Sequence, residues 1–282
     1  MEHVTPTRRI AFLDVDGTIL DHGQTVADST VDAVRTARAA GHLVYLSTGR
    51  SFADIHPDVQ AIGFDGAITN GGAYAVSGSD TIVADPMPSD AVERLLAWAE
   101  TTGILLFLQA NDGIYASDRV RRTVTEMILR WRGQHLSDEP QTAPQRTPRF
   151  HDLADADRTR IAKAVFLGED TEAVDRARQD LGDRFHVVSG SMPLPGGSNG
   201  EIGMLGTTKG SAITRMLAHL GMDAAHAIGI GDSWNDVEMF EVCGVGIAMG
   251  NADDELKRIA DEVTASVRED GVWHAFRRHG LI

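Results

Sequence analysis

A chain of 282 residues, 42% hydrophobic and 24% charged, has an ordinary globular make-up and is long enough for more than one domain. Its net charge of −15 argues against a nucleic-acid or anionic-membrane partner, because both need a basic surface. A single cysteine, Cys243, excludes an internal disulfide, and no apolar run approaches the roughly 18 residues of a membrane span. With a polar Met1–Arg9 start, the expectation is a cytoplasmic protein.

The first predicted element is a buried strand over Ile10–Leu13, which runs into Asp14-Val15-Asp16-Gly17-Thr18. Two carboxylates two residues apart at a strand end can both reach the open edge of a sheet, where doubly wound folds keep their ligands. Carboxylates that close repel each other unless a cation or a shared proton intervenes. They point to a hard ion such as Mg2+, with one carboxylate left to act as nucleophile or acid/base. An Asx-type turn would use the same residues without any chemistry.

A helix follows from about Ser29 to Ala40, with Gly41 as its stop. Leu43–Leu46 reads as a second strand ending in Ser47-Thr48-Gly49-Arg50, and Ala67-Ile68-Thr69 as a short third strand ending at Asn70. Between 85 and 193 the pattern changes. Leu105–Gln109 and Gly113–Ala116, separated by Asn111-Asp112, predict a hairpin, followed by a basic helix over Arg119–Arg132. A proline- and threonine-rich loop spans 140–148, and Lys163–Leu167 and Phe185–Ser189 flank a helix at Thr171–Leu181. Prolines at 86, 88, 193 and 195 punctuate both ends of the region. After a short strand at Glu201–Leu205, a helix begins at Lys209. Then come a strand at Ala227–Ile230, the loop Gly231-Asp232-Ser233-Trp234-Asn235-Asp236, a helix at Asn235–Glu241, a strand at Val245–Met249 and a helix at Asp253–Ala260. The repeated β-α order predicts an α/β fold: a doubly wound parallel, Rossmann-like core over 1–84 and 194–282, with an inserted α+β cap domain over 85–193.

Three strand ends thus carry carboxylates or hydroxyls, and one helix start carries a lysine. Among 26 basic residues only Lys163, Lys209 and Lys257 are lysines, so a lysine in a first helical turn, where the helix dipole disfavours it, is informative. A transferring phosphoryl group needs this set of groups. Gly196-Gly197-Ser198-Asn199-Gly200 matches a serine nucleophile elbow, but prolines precede it and a strand follows, which is the wrong context. His22 and His56 follow the first two loops and read as solvated loop residues.

DVDGT, STGR, Lys209 and GDSWND together resemble the four motifs of the haloacid dehalogenase superfamily of phosphotransferases. Asn70 in TNGG, Met249-Gly250-Asn251-Ala252 and Glu269-Asp270-Gly271-Val272 are similar to its Cof-type branch, which carries a large cap between the second and third motifs. The resemblance implies a Mg2+-dependent phosphatase acting on a small phosphorylated metabolite, such as a sugar phosphate, pyridoxal phosphate or flavin mononucleotide. Asp14 would be the nucleophile and Asp16 the acid/base. Thr48 and Lys209 would hold the transferring oxygens, with Ser47, Gly49, Arg50, Asn70 and Asn235 completing the phosphate pocket. Asp14, Asp16 (through its backbone carbonyl), Asp232 and Asp236 would surround the metal, Asp236 by orienting Lys209 or a bound water. The alternatives on this scaffold are a phosphomutase or phosphotransferase and a non-catalytic phosphate-ligand-binding module. Oligomeric state is not legible.

Overall fold

Ile10–Leu13 is apolar at every position because both of its faces are covered. Ala11 and Leu13 pack with Val34 and Ala37 of the Asp28–Ala39 helix and Phe276 of the Gly271–Arg278 helix. Ile10 and Phe12 point the other way, toward Ile213 and Met216 of the Lys209–Leu220 helix and Phe240. This strand sits inside an eight-stranded sheet ordered Glu262–Val263, Val245–Ala248, Ala227–Gly231, Ile10–Leu13, Leu43–Ser47, Gly66–Thr69, Tyr74–Ser77 and Asp80–Ala84. The computed structural model describes residues 7–21, 25–135, 150–190 and 197–282. His22, the 140–148 loop, Pro193, Pro195, Gly196 and the side chains at 128 and 131–135 lie outside what it describes.

The first six strands of that order run parallel, as the β-α alternation predicts. The last two pairings are antiparallel: Tyr74–Ser77 runs opposite to its neighbours and Asp80–Ala84 returns in the common direction, which adds an antiparallel edge to the expected parallel sheet. Only Asn70–Ala73 separates Gly66–Thr69 from Tyr74–Ser77, too short for a crossover helix, so the chain must turn back on itself. Because the central strands are parallel, Asp14, Thr48, Asn70 and Asp232 all emerge at one end of the sheet. The Lys209–Leu220 helix starts sharply: Thr208 Oγ1 accepts the Ser211 amide at 3.1 Å while Ser211 Oγ accepts the Thr208 amide at 3.0 Å. That capping box fixes Lys209 as the first helical residue.

The chain forms two compact units. One comprises Met1–Arg50, Ile55–Ala84 and Thr208–Ile282; the other comprises Ser51–Asp54 and Asp85–Thr207. The second unit is built on a six-stranded sheet ordered Phe150–Asp152, Gly113–Ala116, Leu105–Ala110, Ile161–Gly168, Ser198–Met204 and Phe185–Ser189. The Leu105–Ala110 and Gly113–Ala116 strands form the expected antiparallel hairpin. Leu106, Leu108, Ala164, Phe166 and Ile202 pack on one face with the Ser89–Thr102 and Ala173–Leu181 helices, and Phe107, Val165 and Leu167 pack with Val120 and Val124 of the Asp118–His135 helix on the other. The Ser198–Met204 strand, placed on the core side of residue 194 by sequence, lies in this sheet, antiparallel to both Ile161–Gly168 and Phe185–Ser189, with Ile202 buried among their apolar residues.

Ser198 opens that strand and its Oγ donates to the Asp170 carbonyl at 2.8 Å, so it forms no nucleophile elbow. Cys243 is buried, and burial pushes its thiol up to about 12, which makes it a small apolar residue at neutral pH. Among the described residues, no helix is long and apolar enough to cross a membrane.

Candidate active site

Asp14 is the first residue beyond its strand, and its amide donates to the Ile230 carbonyl at 2.9 Å. This bond ties the Asp14 backbone to the adjacent Ala227–Gly231 strand, whose following turn carries Asp232, Asn235 and Asp236. Lys209 reaches into the same place from its helix start. Its Nζ donates to Asp14 Oδ1 at 2.7 Å, to Asp236 Oδ1 at 2.6 Å and to Asn235 Oδ1 at 3.2 Å, so all three ammonium protons are engaged. The side chains of Lys209, Asp14 and Asp236 are 1%, 6% and 0% exposed. An ammonium so deeply buried persists only with such partners. Burial works against the Lys209 charge, but Asp14 and Asp236 overcome it and raise its pKa.

One lysine cannot neutralise every carboxylate here. Burial pushes Asp14 up to about 7 against the pull of Lys209, and burial with the nearby Asp14 charge pushes Asp232 up to about 9. Ligand oxygens of Asp14, Asp232 and Asp236 all lie within 4.8 Å of one another. Asp232 Oδ1 is buried with no hydrogen-bond partner among the described residues. A buried, unpartnered carboxylate oxygen beside a second buried carboxylate fits a hard divalent cation, which supplies the missing partner and reverses the cost of ionisation. Gly17 leaves room for this arrangement: its φ is 81°, and a Cβ there would fall 2.0 Å from Asp232 Oδ2.

Asp236 belongs to the cluster by distance but is differently employed. Its Oδ1 accepts from Lys209, and its Oδ2 accepts the amides of Asp232 and Ser233, each at 3.1 Å. These contacts hold the lysine and the turn. Asn235 Oδ1 is shared between Lys209 and the Ser233 hydroxyl, the latter at 2.8 Å.

Asp16 is gripped by Arg50, whose Nε donates to Oδ2 at 2.7 Å and Nη2 to Oδ1 at 2.6 Å. Arg50, expected in the phosphate pocket, is engaged on the acid/base candidate in this structure. Ser47, Thr48 and Asn70 are buried at the neighbouring strand ends, and Gly49 lies in the bend between Thr48 and Arg50. Thr48 Oγ1 accepts the Arg50 amide at 3.1 Å, and the Ser47 Oγ has no hydrogen-bond partner among the described residues. Asn70 adopts a left-handed φ of 53° and donates its amide to the Arg50 carbonyl at 2.8 Å. Gly72 of the TNGG motif has φ 110°, and a Cβ would come within 2.1 Å of the Thr208 carbonyl. The second glycine thus allows this loop to pass against the residue that caps the Lys209 helix. His56, read as a loop residue, accepts the Asp58 amide at 3.2 Å and caps the Pro57–Ile62 helix.

Asn251 was visible in sequence only as a mark of resemblance. It follows the Val245–Ala248 strand, at the same end of the sheet as Asp232, and its Nδ2 reaches both the Gly17 carbonyl and Asp232 Oδ2. Its position just beyond a predicted parallel strand was the one signal that could have placed it near the site.

The haloacid dehalogenase-like hydrolase family matches residues 11–276. YkrA of Bacillus subtilis is 30% identical over 275 residues, covering 97% of this chain and 98% of its own. The pyridoxal phosphate phosphatase YbhA of Escherichia coli is 29% identical over 279 residues, covering 97% and 99%. Among solved structures, the phosphatase BT1666 of Bacteroides thetaiotaomicron superposes with a TM-score of 0.78 at 23% identity, over 100% of this chain and 98% of that one. The chain belongs to the haloacid dehalogenase-like hydrolase family.

Proposed function

We propose that this chain is a Mg2+-dependent phosphatase that hydrolyses a small phosphorylated metabolite through a phosphoryl-aspartate on Asp14. The observation that carries this reading is the Lys209 contact to Asp14 Oδ1 at 2.7 Å beside the unpartnered Asp232 Oδ1. A carboxylate with one oxygen held and its charge offset keeps the other oxygen directed for attack.

Asp14 attacks phosphorus while the bond from phosphorus to the leaving oxygen breaks, and Asp16 donates a proton to that oxygen. Asp16 then takes a proton from water, which attacks the phosphoryl-aspartate and frees inorganic phosphate and the Asp14 carboxylate. Lys209, Thr48, Ser47, Asn235, Asn70 and the backbone at Gly49 surround the phosphoryl oxygens. Arg50 orients Asp16, and Asp236 orients Lys209. Asp14, Asp232 and the backbone carbonyl of Asp16 would hold Mg2+, which when bound neutralises the charge shared by the carboxylates and the phosphoryl oxygens.

The residues around Asp14 recognise phosphate, so this reading assigns selectivity for the leaving group to the inserted Asp85–Thr207 unit. A phosphorylated cofactor fits this reading, supported by the likeness to the pyridoxal phosphate phosphatase YbhA, and a sugar phosphate fits it by likeness in fold to the sugar phosphatase BT4131. The absence of a disulfide-forming cysteine pair in the sequence supports a cytoplasmic setting.

The test is phosphate release from a panel of sugar phosphates, pyridoxal phosphate and flavin mononucleotide, with Mg2+ present. Release from at least one small metabolite, with little from phosphoproteins or nucleic acid, is expected. An isomerised substrate without free phosphate would mean a phosphomutase, and no reaction with any phosphoester would overturn the proposal.

A further inference from the structure

Two segments singled out in the sequence by resemblance, Met249–Ala252 and Glu269–Val272, have no part in the steps above. Asn251, from the first, makes three complementary contacts. Its Nδ2 donates to the Gly17 carbonyl at 2.9 Å and to Asp232 Oδ2 at 3.3 Å, while its Oδ1 accepts the Val267 amide at 2.9 Å. Reversing the amide would set oxygen against two acceptors and nitrogen against a donor, so the surroundings allow one orientation.

The second motif shapes the loop that supplies Val267. Glu269 accepts from the Ser266 hydroxyl at 2.7 Å and its amide at 3.4 Å, a capping box that fixes the Val267–Glu269 turn. Asp270 takes a left-handed φ of 59° and accepts the Ser29 hydroxyl at 2.5 Å. Arg268 Nε donates to Asp21 Oδ2 at 2.6 Å. The loop is therefore tied to the segment that follows the DVDGT motif.

We propose that Asn251 is a positioning residue for the cation site, braced from the 266–270 loop. It holds Asp232 by Oδ2 and so directs the unpartnered Oδ1 toward the place a cation occupies. It also holds the Gly17 carbonyl, which sets the backbone immediately after Asp16. The inference rests on the reading that Asp14 and Asp232 bind a divalent cation. Contacts of this kind change metal affinity by roughly 10–100-fold when removed.

The test is the Mg2+ dissociation constant by titration calorimetry on the full chain, for wild type, Asn251→Ala and Asp232→Asn. Thermal unfolding would confirm that each variant is folded. Asn251→Ala is expected to weaken Mg2+ by about tenfold or more. Its kcat at saturating Mg2+ should recover to within threefold of wild type, a recovery that general damage to the fold would not show. If the alanine variant does not fold, Asn251→Ser carries the same test, since serine is too short to reach both Gly17 and Asp232. A folded Asn251 variant with wild-type Mg2+ affinity overturns the proposal while Asp232→Asn still abolishes binding. If Asp232→Asn also leaves Mg2+ affinity unchanged, the cation-site reading falls and the proposal falls with it.

Discussion

Arg50 closes a two-point clamp on Asp16, Nε to Oδ2 at 2.7 Å and Nη2 to Oδ1 at 2.6 Å. A planar guanidinium matches both carboxylate oxygens at once, which a lysine ammonium cannot do. Arg50→Lys should therefore lower kcat, by about 10²-fold if the acid/base group loses its aim, while KM stays within threefold. Steady-state kinetics on any accepted phosphoester checks this. A raised KM with unchanged kcat would return Arg50 to the phosphate pocket.

Asp236 anchors Lys209 and two backbone amides from a fully buried position. Asp236→Ala leaves the lysine with one carboxylate fewer and two amides unpaired, so it should destabilise the chain by about 3–5 kcal/mol. Urea unfolding measures the loss. Activity should fall as well, because the Lys209 contact to Asp14 is no longer fixed from the far side.

The buried carboxylates predict an unusual pH dependence in metal-free protein. Asp14 and Asp232 are raised to about 7 and about 9 from an ordinary 3.8, so the folded chain holds their protons more tightly than the unfolded chain does. Their contribution to stability is present below the unfolded value and is lost as pH rises through the folded values. Thermal unfolding in chelator should therefore show the midpoint falling between pH 6 and 9. A cation must displace those protons, so Mg2+ affinity should rise across the same window and its addition should flatten the slope. A midpoint in chelator that climbs from pH 6 to 9 would contradict this account.

The buried parallel strands were legible in sequence because Ile10–Leu13, Leu43–Ser47 and Ala227–Gly231 are covered on both faces and read as unbroken apolar runs. Tyr74–Ser77 and Asp80–Ala84 were missed for the opposite reason: they form the outer hairpin of the sheet, with Asp80–Ala84 at its edge, and have one buried residue each. The Ser89–Thr102 helix has readable ends, Pro88 before it and Gly103 in a left-handed C-cap, but Pro88 also fits a domain boundary and so does not by itself announce a helix. Ser198–Met204 was recognised in part as a strand, yet its sheet is set by pairing with residues some 30 positions earlier, which local pattern does not encode.

The site was legible as residue types and not as pairings. Asp14, Lys209 and Asp232 stood out because a phosphoryl group needs them at strand ends and a helix start. That Arg50 grips Asp16, and that Asp236 takes both Lys209 and the Asp232 amide, follows from how separate loops converge. Asn251 carries no charge and had no chemical signature of its own; only its contacts with Gly17, Asp232 and Val267 mark it.

Asp14→Asn tests most directly whether Asp14 attacks phosphorus. The amide keeps the shape of the side chain and can still face Lys209, but it is a poor nucleophile. Steady-state phosphate release from the best substrate, at saturating Mg2+ and with folding matched by thermal unfolding, is the measurement. Turnover at least about 10³-fold below wild type is expected. A folded Asp14→Asn protein releasing phosphate within tenfold of wild type would contradict Asp14 as the nucleophile.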